Sequence, residues 1–253
     1  MSEDAPLLFA CADGIATLTL NRPQAGNAIT LPLARALAEA AARCAGDEDI
    51  KCVLLTGAGK LFCAGGDLTL FREAGTQLGS LLGELADSLH NALSLFSRMT
   101  KPLVVLVNGP AAGAGLSLAL CGDIVLATSS SHFTAAYSRL GLTPDGGMTW
   151  LLPRLVGLRR AQEIILTNRR VPAEEAVAMG MVTRVVGDGL LMQEGLAVAR
   201  HLSGPSSHAL GMSRHLLQNA LDCSFEAQLE KEALAIVAAA KSAGMERASP
   251  VKG

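Results

Sequence analysis

Two kinds of apolar pattern alternate along this chain. Short aliphatic runs bounded by turn residues read as buried strands, and longer stretches with apolar positions three and four apart read as helices packed on them. The pattern is organised around residues 101–127, KPLVVLVNGPAAGAGLSLALCGDIVLA. Leu103 to Val107 reads as a fully buried strand, broken by Asn108-Gly109-Pro110. Ala111, Ala112, Gly113, Ala114 and Gly115 then form a loop almost without side chains. A helix over 116–120 and a second buried strand over 123–127 follow. So bare a loop lets another backbone, or a ligand, come very close, and the first amides of the helix behind it are unpaired donors. Tight helix–strand packing alone would also account for it.

The same reading covers the rest. Residues 6–20 form a hairpin about Asp13-Gly14, and 21–27 a polar loop. Thr30 caps a helix over 31–44, with Pro32 in its first turn. Cys52 to Thr56 is a buried strand, and Gly57 to Asp67 repeats the glycine-rich theme, so 51–67 and 101–117 are two loose copies of strand-then-bare-loop. Gly75, Gly79 and Gly83 loosen the next stretch, and a helix is expected from about Leu85 to Met99. A short strand at 132–135 precedes Pro144-Asp145-Gly146-Gly147, which is turn chemistry. Helices follow at about 148–155, 158–167, 189–202, 206–220 and 225–240, with a strand over 182–186.

Composition narrows the class. The 253 residues are half hydrophobic with only 3% aromatics, so the core is aliphatic and large. A formal charge of −2 argues against a nucleic-acid or anionic-membrane partner that needs basic patches. No apolar run approaches the ~20 residues of a membrane span, and the acidic start, MSEDAPLLFA, is unlike a signal peptide. The six cysteines include no C-x-x-C pair, which predicts free thiols in a reducing cytoplasm rather than a metal site.

FCAGGDL at 62–68, VNGPAAGAG at 107–115, GDIVLA at 122–127 and SRLGLTPDGGMTWLLPRLVG at 138–157 together resemble the crotonase superfamily of enoyl-CoA hydratases and isomerases. The likeness runs from about residue 6 to 235, in order and register. The resemblance implies an α/β fold, a spiral of β-β-α units over residues 1–187 that carries the site. Residues 188–253 would then form a helical region that joins subunits into a homotrimer or a hexamer. It implies acyl-CoA thioester substrates, with no cofactor beyond the coenzyme A that the substrate carries. The family's closing helix often bears a phenylalanine and basic residues that contact coenzyme A across subunits. Here the end, AAKSAGMERASPVKG, lacks the phenylalanine.

Carried over by position, the family's oxyanion hole is the pair of amides of Gly66 and Ala114, which explains why small residues surround them. Gly65, Gly113 and Leu68 flank the pair, and Asp67 is expected to hold its loop. Gln24, Ala25, Asn27 and Ala64 map to the coenzyme A channel. The two glutamates with which family hydratases handle water map to Ser117 and Tyr137, so hydration is disfavoured. Asp145 falls where several isomerases keep a proton-shuttling carboxylate, and its surroundings most resemble ring-1,2-epoxyphenylacetyl-CoA isomerases of phenylacetate catabolism. Leu140, Leu142, Trp150 and Leu151 are expected to wall it. His90 matches a histidine of family dehalogenases, while a surface histidine on its helix is the default reading. Three readings follow: a double-bond or ring isomerase using Asp145 as acid and base, a dehalogenase or hydrolase using it as nucleophile, and an acyl-CoA-binding homologue without chemistry.

Overall fold

The computed structural model describes residues 5–204 and 206–242; the expectations for the extreme N-terminus and for residues 243–253 lie outside these. The strands are β1 (Leu7–Ala12), β2 (Ile15–Leu20), β3 (Cys52–Gly57), β4 (Leu103–Val107), β5 (Ala111–Ala112), β6 (Ile124–Thr128), β7 (His132–Thr134), β8 (Val171–Pro172) and β9 (Arg184–Val186). The helices are α1 (Leu31–Gly46), α2 (Leu68–Ala74), α3 (Leu78–Arg98), α4 (Ala114–Leu120), α5 (Met148–Val156), α6 (Leu158–Thr167), α7 (Ala173–Ala178), α8 (Leu191–Leu202), α9 (Ser207–Asn219) and α10 (Phe225–Ser242). A six-stranded sheet runs β1-β2-β3-β4-β6-β9, parallel except for the β1–β2 hairpin, and β5-β7-β8 form a small second sheet.

The hairpin turns on Asp13 and Gly14, both at positive φ, as a two-residue type I′ turn requires. In β3, β4 and β6 the side chains alternate between two apolar layers. Val53, Leu55, Val105, Val107, Val125 and Ala127 face the larger core with α1, α3 and α4. Leu54, Val104, Leu106 and Leu126 face Leu191 and Ala199 of α8. Both faces are buried, so these strands read as continuous hydrophobic runs. Helix α8 therefore completes the sheet's second layer.

Two local expectations need correction. Helix α3 begins at Leu78 rather than near Leu85, with Gly79 and Gly83 inside it. Each interior glycine costs a helix about 1 kcal/mol, and the buried row Leu85, Leu89, Ala92, Leu93 and Phe96 outweighs that cost. Thr30 occupies the N-cap of α1 but makes no side-chain cap bond.

Helix α9 is tied down by a residue that sequence pattern did not reveal. The buried guanidinium of Arg214 donates to Asp123 Oδ2 at 2.6 Å and to the carbonyls of Phe96, Ser97 and Met99 at 2.6–2.8 Å. Asp123 also accepts the Leu103 amide at 2.7 Å. One side chain thus closes the end of α3 and anchors β4. Arg214→Ala leaves a carboxylate and three helix-end carbonyls without their donor, so it should cost about 3–5 kcal/mol, read as a lower urea midpoint.

The buried thiols make a second prediction. Burial pushes Cys44, Cys52 and Cys63 from an ordinary pKa near 9 up to about 12. Above pH 9 the unfolded chain releases these protons and the folded chain keeps them. Stability is therefore full below pH 9 and falls as pH rises toward 12. Urea unfolding at pH 8 and pH 10.5 should show the drop, and replacing Cys63 with Ala should reduce its slope.

Candidate active site

The two bare loops leave the carboxyl ends of adjacent parallel strands β3 and β4 and zip together. Cys63 and Ala111 form a parallel bridge, with Ala112 N–H donating to Cys63 O at 2.9 Å and Cys63 N–H to Pro110 O at 3.2 Å. The contact is too close for side chains. A Cβ on Gly65, already at φ +95, would sit 2.8 Å from Ala112 O, and one on Gly115 would sit 2.3 Å from Cys63 O. Packing thus accounts for part of the bareness. It does not account for the amides of Gly66 and Ala114. Gly65 O and the Asp67 amide pair with Ile29, and Gly113 N–H reaches Thr134 O. Among the described residues, the Gly66 and Ala114 amides have no hydrogen-bond acceptor. Both line one cavity of about 480 Å³.

Asp145 lines the same cavity. Tyr137 donates its hydroxyl to Asp145 Oδ1 at 2.5 Å. Ser117, fully buried on α4, donates to the Asp145 carbonyl at 2.9 Å. His90 Nε2 accepts the Gly146 amide at 3.0 Å and lies 4.0 Å from Asp145 Oδ2. Burial, the adjacent carboxylate and the hydrogen bond to it all push the Tyr137 phenol up beyond its ordinary range, so it stays a neutral donor. The Asp145 side chain is 35% exposed and His90 49%.

The backbone that aims Tyr137 is unusual. Ala136 sits at φ +67, a region that costs a non-glycine residue energy. Its amide donates to Oδ1 of buried Asn168, itself at φ +54. Neither residue stands out in the sequence, because the signal is a contact between segments 32 positions apart.

The other candidates divide by place. Ala64, Gly65, Gly66, Leu68, Gly113, Ala114, Tyr137 and Asp145 line the cavity; Gln24, Ala25, Asn27, Asp67, Ser117 and His90 do not. Gln24 and Ala25 are exposed in the turn whose Gly26 carbonyl accepts the Ala64 amide. Asn27 is buried, and its side chain clamps Ala58, Leu61 and Phe62 carbonyls and the Arg22 amide at 2.8–3.1 Å. Asp67 caps α2 through the Thr69 and Leu70 amides and meets Arg22 at 3.1 Å. Of the expected wall, Leu140 and Leu142 line the cavity. Trp150 and Leu151 instead line a second cavity with His90, because α5 runs away behind the 144–147 turn. The wall missed in the sequence is Phe71 of α2 and Leu82, Gly83, Leu85, Ala86 and Leu89 of α3. Leu82, Leu85, Ala86 and Leu89 share one face at 3–4 spacing, and starting the helix at Leu85 leaves Leu82 and Gly83 off it.

Comparison with known proteins agrees with this architecture. The enoyl-CoA hydratase/isomerase family model matches residues 11–248. The 1,2-epoxyphenylacetyl-CoA isomerase of Escherichia coli is 40% identical over 87% of this chain and 84% of its own. A 4-chlorobenzoyl coenzyme A dehalogenase of Arthrobacter sp. is 32% identical over 89% and 82%. The crystal structure of an enoyl-CoA hydratase from Polaromonas sp. JS666 superposes with a TM-score of 0.88 at 31% identity, covering 92% of this chain and 91% of that one. The chain has the crotonase fold and belongs to the enoyl-CoA hydratase/isomerase family.

Proposed function

We propose that the protein is an acyl-CoA isomerase that shifts a double bond, or rearranges a ring, in an unsaturated CoA thioester. One observation carries the reading. Where family hydratases place two glutamates, Ser117 donates to the Asp145 carbonyl and Tyr137 to its carboxylate, and among the described residues Asp145 is the one carboxylate lining the cavity with the Gly66 and Ala114 amides.

One carboxylate suffices for the chemistry. In a 3-enoyl thioester, the base takes the proton from C2 and the C2–H electrons pass into the thioester, leaving an enolate. The enolate oxygen sits on the Gly66 and Ala114 amides, each worth roughly 3–4 kcal/mol to such a charge. The same carboxyl then returns the proton to C4, and the double bond ends between C2 and C3. Tyr137 fixes Oδ1, so Oδ2 carries the proton. The buried Leu85 and Leu89 give this part of the cavity an apolar wall that would limit water at the carbanion.

The 32% identity to a dehalogenase and the 4.0 Å approach of His90 to Asp145 favour a second reading, with Asp145 as nucleophile and His90 activating water. Against it, the His90 Nε2 lone pair already accepts the Gly146 amide and is spent. An acyl-CoA panel distinguishes them by isomerisation or halide release. Assembly belongs to the same proposal. Leu217, Leu221, Phe225, Leu234 and Ile236 of the α9–α10 region are each at least 70% exposed, a surface suited to burial between copies in a trimer or hexamer.

Asp145→Ala should lower isomerisation by roughly 10²–10⁴-fold with nearly unchanged substrate affinity, and should abolish exchange of substrate protons in deuterated water. Rapid crotonyl-CoA hydration by wild type, or near-full isomerisation by the variant, would place the chemistry elsewhere. Tyr137→Phe removes a hydrogen bond to a charged group, worth roughly 1.5–3 kcal/mol. It should therefore lower kcat by about 10–100-fold and leave KM near wild type. Because the phenol is held protonated, the alkaline limb of the rate profile up to pH 10 should be the same in both proteins.

A further inference from the structure

We infer that the cavity accepts an apolar acyl group of medium length and that Gly83 sets how far that group extends, an inference that rests on reading the cavity as an acyl-CoA site. Beyond the amides and Asp145, its wall is Phe71, Leu82, Leu85, Leu89, Leu140 and Leu142. The phenol of Tyr137 is spent on Asp145. The remaining polar members, Arg139 and Thr143, are exposed to solvent. Apart from the amides and Asp145, no lining group among the described residues can pair with a charged or strongly polar acyl end in the interior, so burying one there is unfavourable. About 480 Å³ is far more room than a four-carbon acyl group fills.

Gly83 is the informative residue. It lies inside α3, where glycine weakens a helix relative to any ordinary residue. Its backbone does not demand glycine, since its φ is not positive. Packing does not demand it either, since an added Cβ would meet nothing within 4 Å. At Gly211 of α9, by contrast, a Cβ would lie 1.8 Å from Thr100 O. What the missing side chain provides is an open stretch of cavity wall beside Leu82 and Ala86. Gly83 is itself solvent-exposed while lining the cavity, so a leucine there would fill the open space beside it and limit how far the cavity extends.

Gly79 supplies the control. It is also in α3, and an added Cβ there also meets nothing within 4 Å, but it does not line the cavity. Saturated acyl-CoA thioesters of four to twelve carbons would be titrated calorimetrically, alongside kcat/KM for 3-enoyl-CoAs of the same lengths. Wild type should gain about fourfold in affinity per methylene beyond four carbons. Gly83→Leu should bind the four-carbon thioester within about twofold of wild type. It should lose the gain beyond about six carbons, at least about tenfold by ten. Gly79→Leu should follow wild type throughout. Gly83→Ala, which strengthens the helix, gives a smaller loss of the same kind should the leucine variant misfold by circular dichroism. A wild type with no gain beyond four carbons, or Gly83 variants tracking wild type at every length, would overturn the inference. Length-dependent binding without isomerisation would refute the proposed reaction and leave the length determinant standing.

Discussion

The architecture depends on how backbone hydrogen bonds are allotted where two loops meet. Cys63, Ala64, Asp67, Ala112 and Gly113 each spend their amide on a neighbouring segment. That mesh holds Gly66 and Ala114 in place, yet offers their own amides no acceptor among the described residues. An unpaired amide in a protein interior is costly unless something else accepts it. Here both line one cavity, where the proposed reaction would supply a substrate oxygen as acceptor. The bare sequence is what permits the arrangement, because any side chain at Gly65 or Gly115 would wedge the loops apart.

A second convergence depends on the first. The turn carrying Asp145 is held from three directions: by Ser117 on the helix behind Ala114, by Tyr137 on the strained 136–137 corner, and by His90 on α3. Ser117 follows Ala114 by one turn on the same helix. The Asp145 turn and the Ala114 amide are therefore tied to one short buried helix, while the Gly66 amide is set by the neighbouring loop through its bridge to Ile29. Of the three, Tyr137 bonds the carboxylate itself, while Ser117 and His90 hold the main chain of its turn.

Much of this was legible in the chain because it follows from local rules. Strands β3, β4 and β6 announce themselves as aliphatic runs with both faces buried, and Asp13-Gly14 carries its own turn chemistry. The two glycine loops were recognisable as a pair before their contact was known. What stayed hidden depends on long-range geometry. Arg214 reaches carbonyls more than 110 positions away, and no periodicity marks such a bond. The first two turns of α3 carry two glycines, and only packing of the helix as a whole extends it there. Trp150 and Leu151 follow Asp145 closely in sequence, yet the left-handed Gly146 and Gly147 turn the chain away, so proximity along the chain misled.

These differences distribute rigidity across the cavity. Helix α3 is fixed at its carboxyl end by Arg214, and its buried residues begin only at Leu85. From Leu78 to Glu84 it is half-buried or exposed, and its side-chain ion pair there among the described residues is the exposed Arg35–Glu84 contact at 2.7 Å, worth at most ~1 kcal/mol. This side of the cavity is therefore packed more firmly toward the carboxyl end of α3 than around Gly83. The amides and Asp145 sit on the opposite side, in a mesh of main-chain bonds and a buried helix. Charge development at the thioester needs fixed dipoles, because reorienting them during the reaction would consume the stabilisation they provide. An apolar chain needs only exclusion of water, which a compliant wall supplies as well as a rigid one. In the proposed reaction, the end of the cavity that would handle charge is over-determined, and the end that would take hydrocarbon rests on fewer contacts.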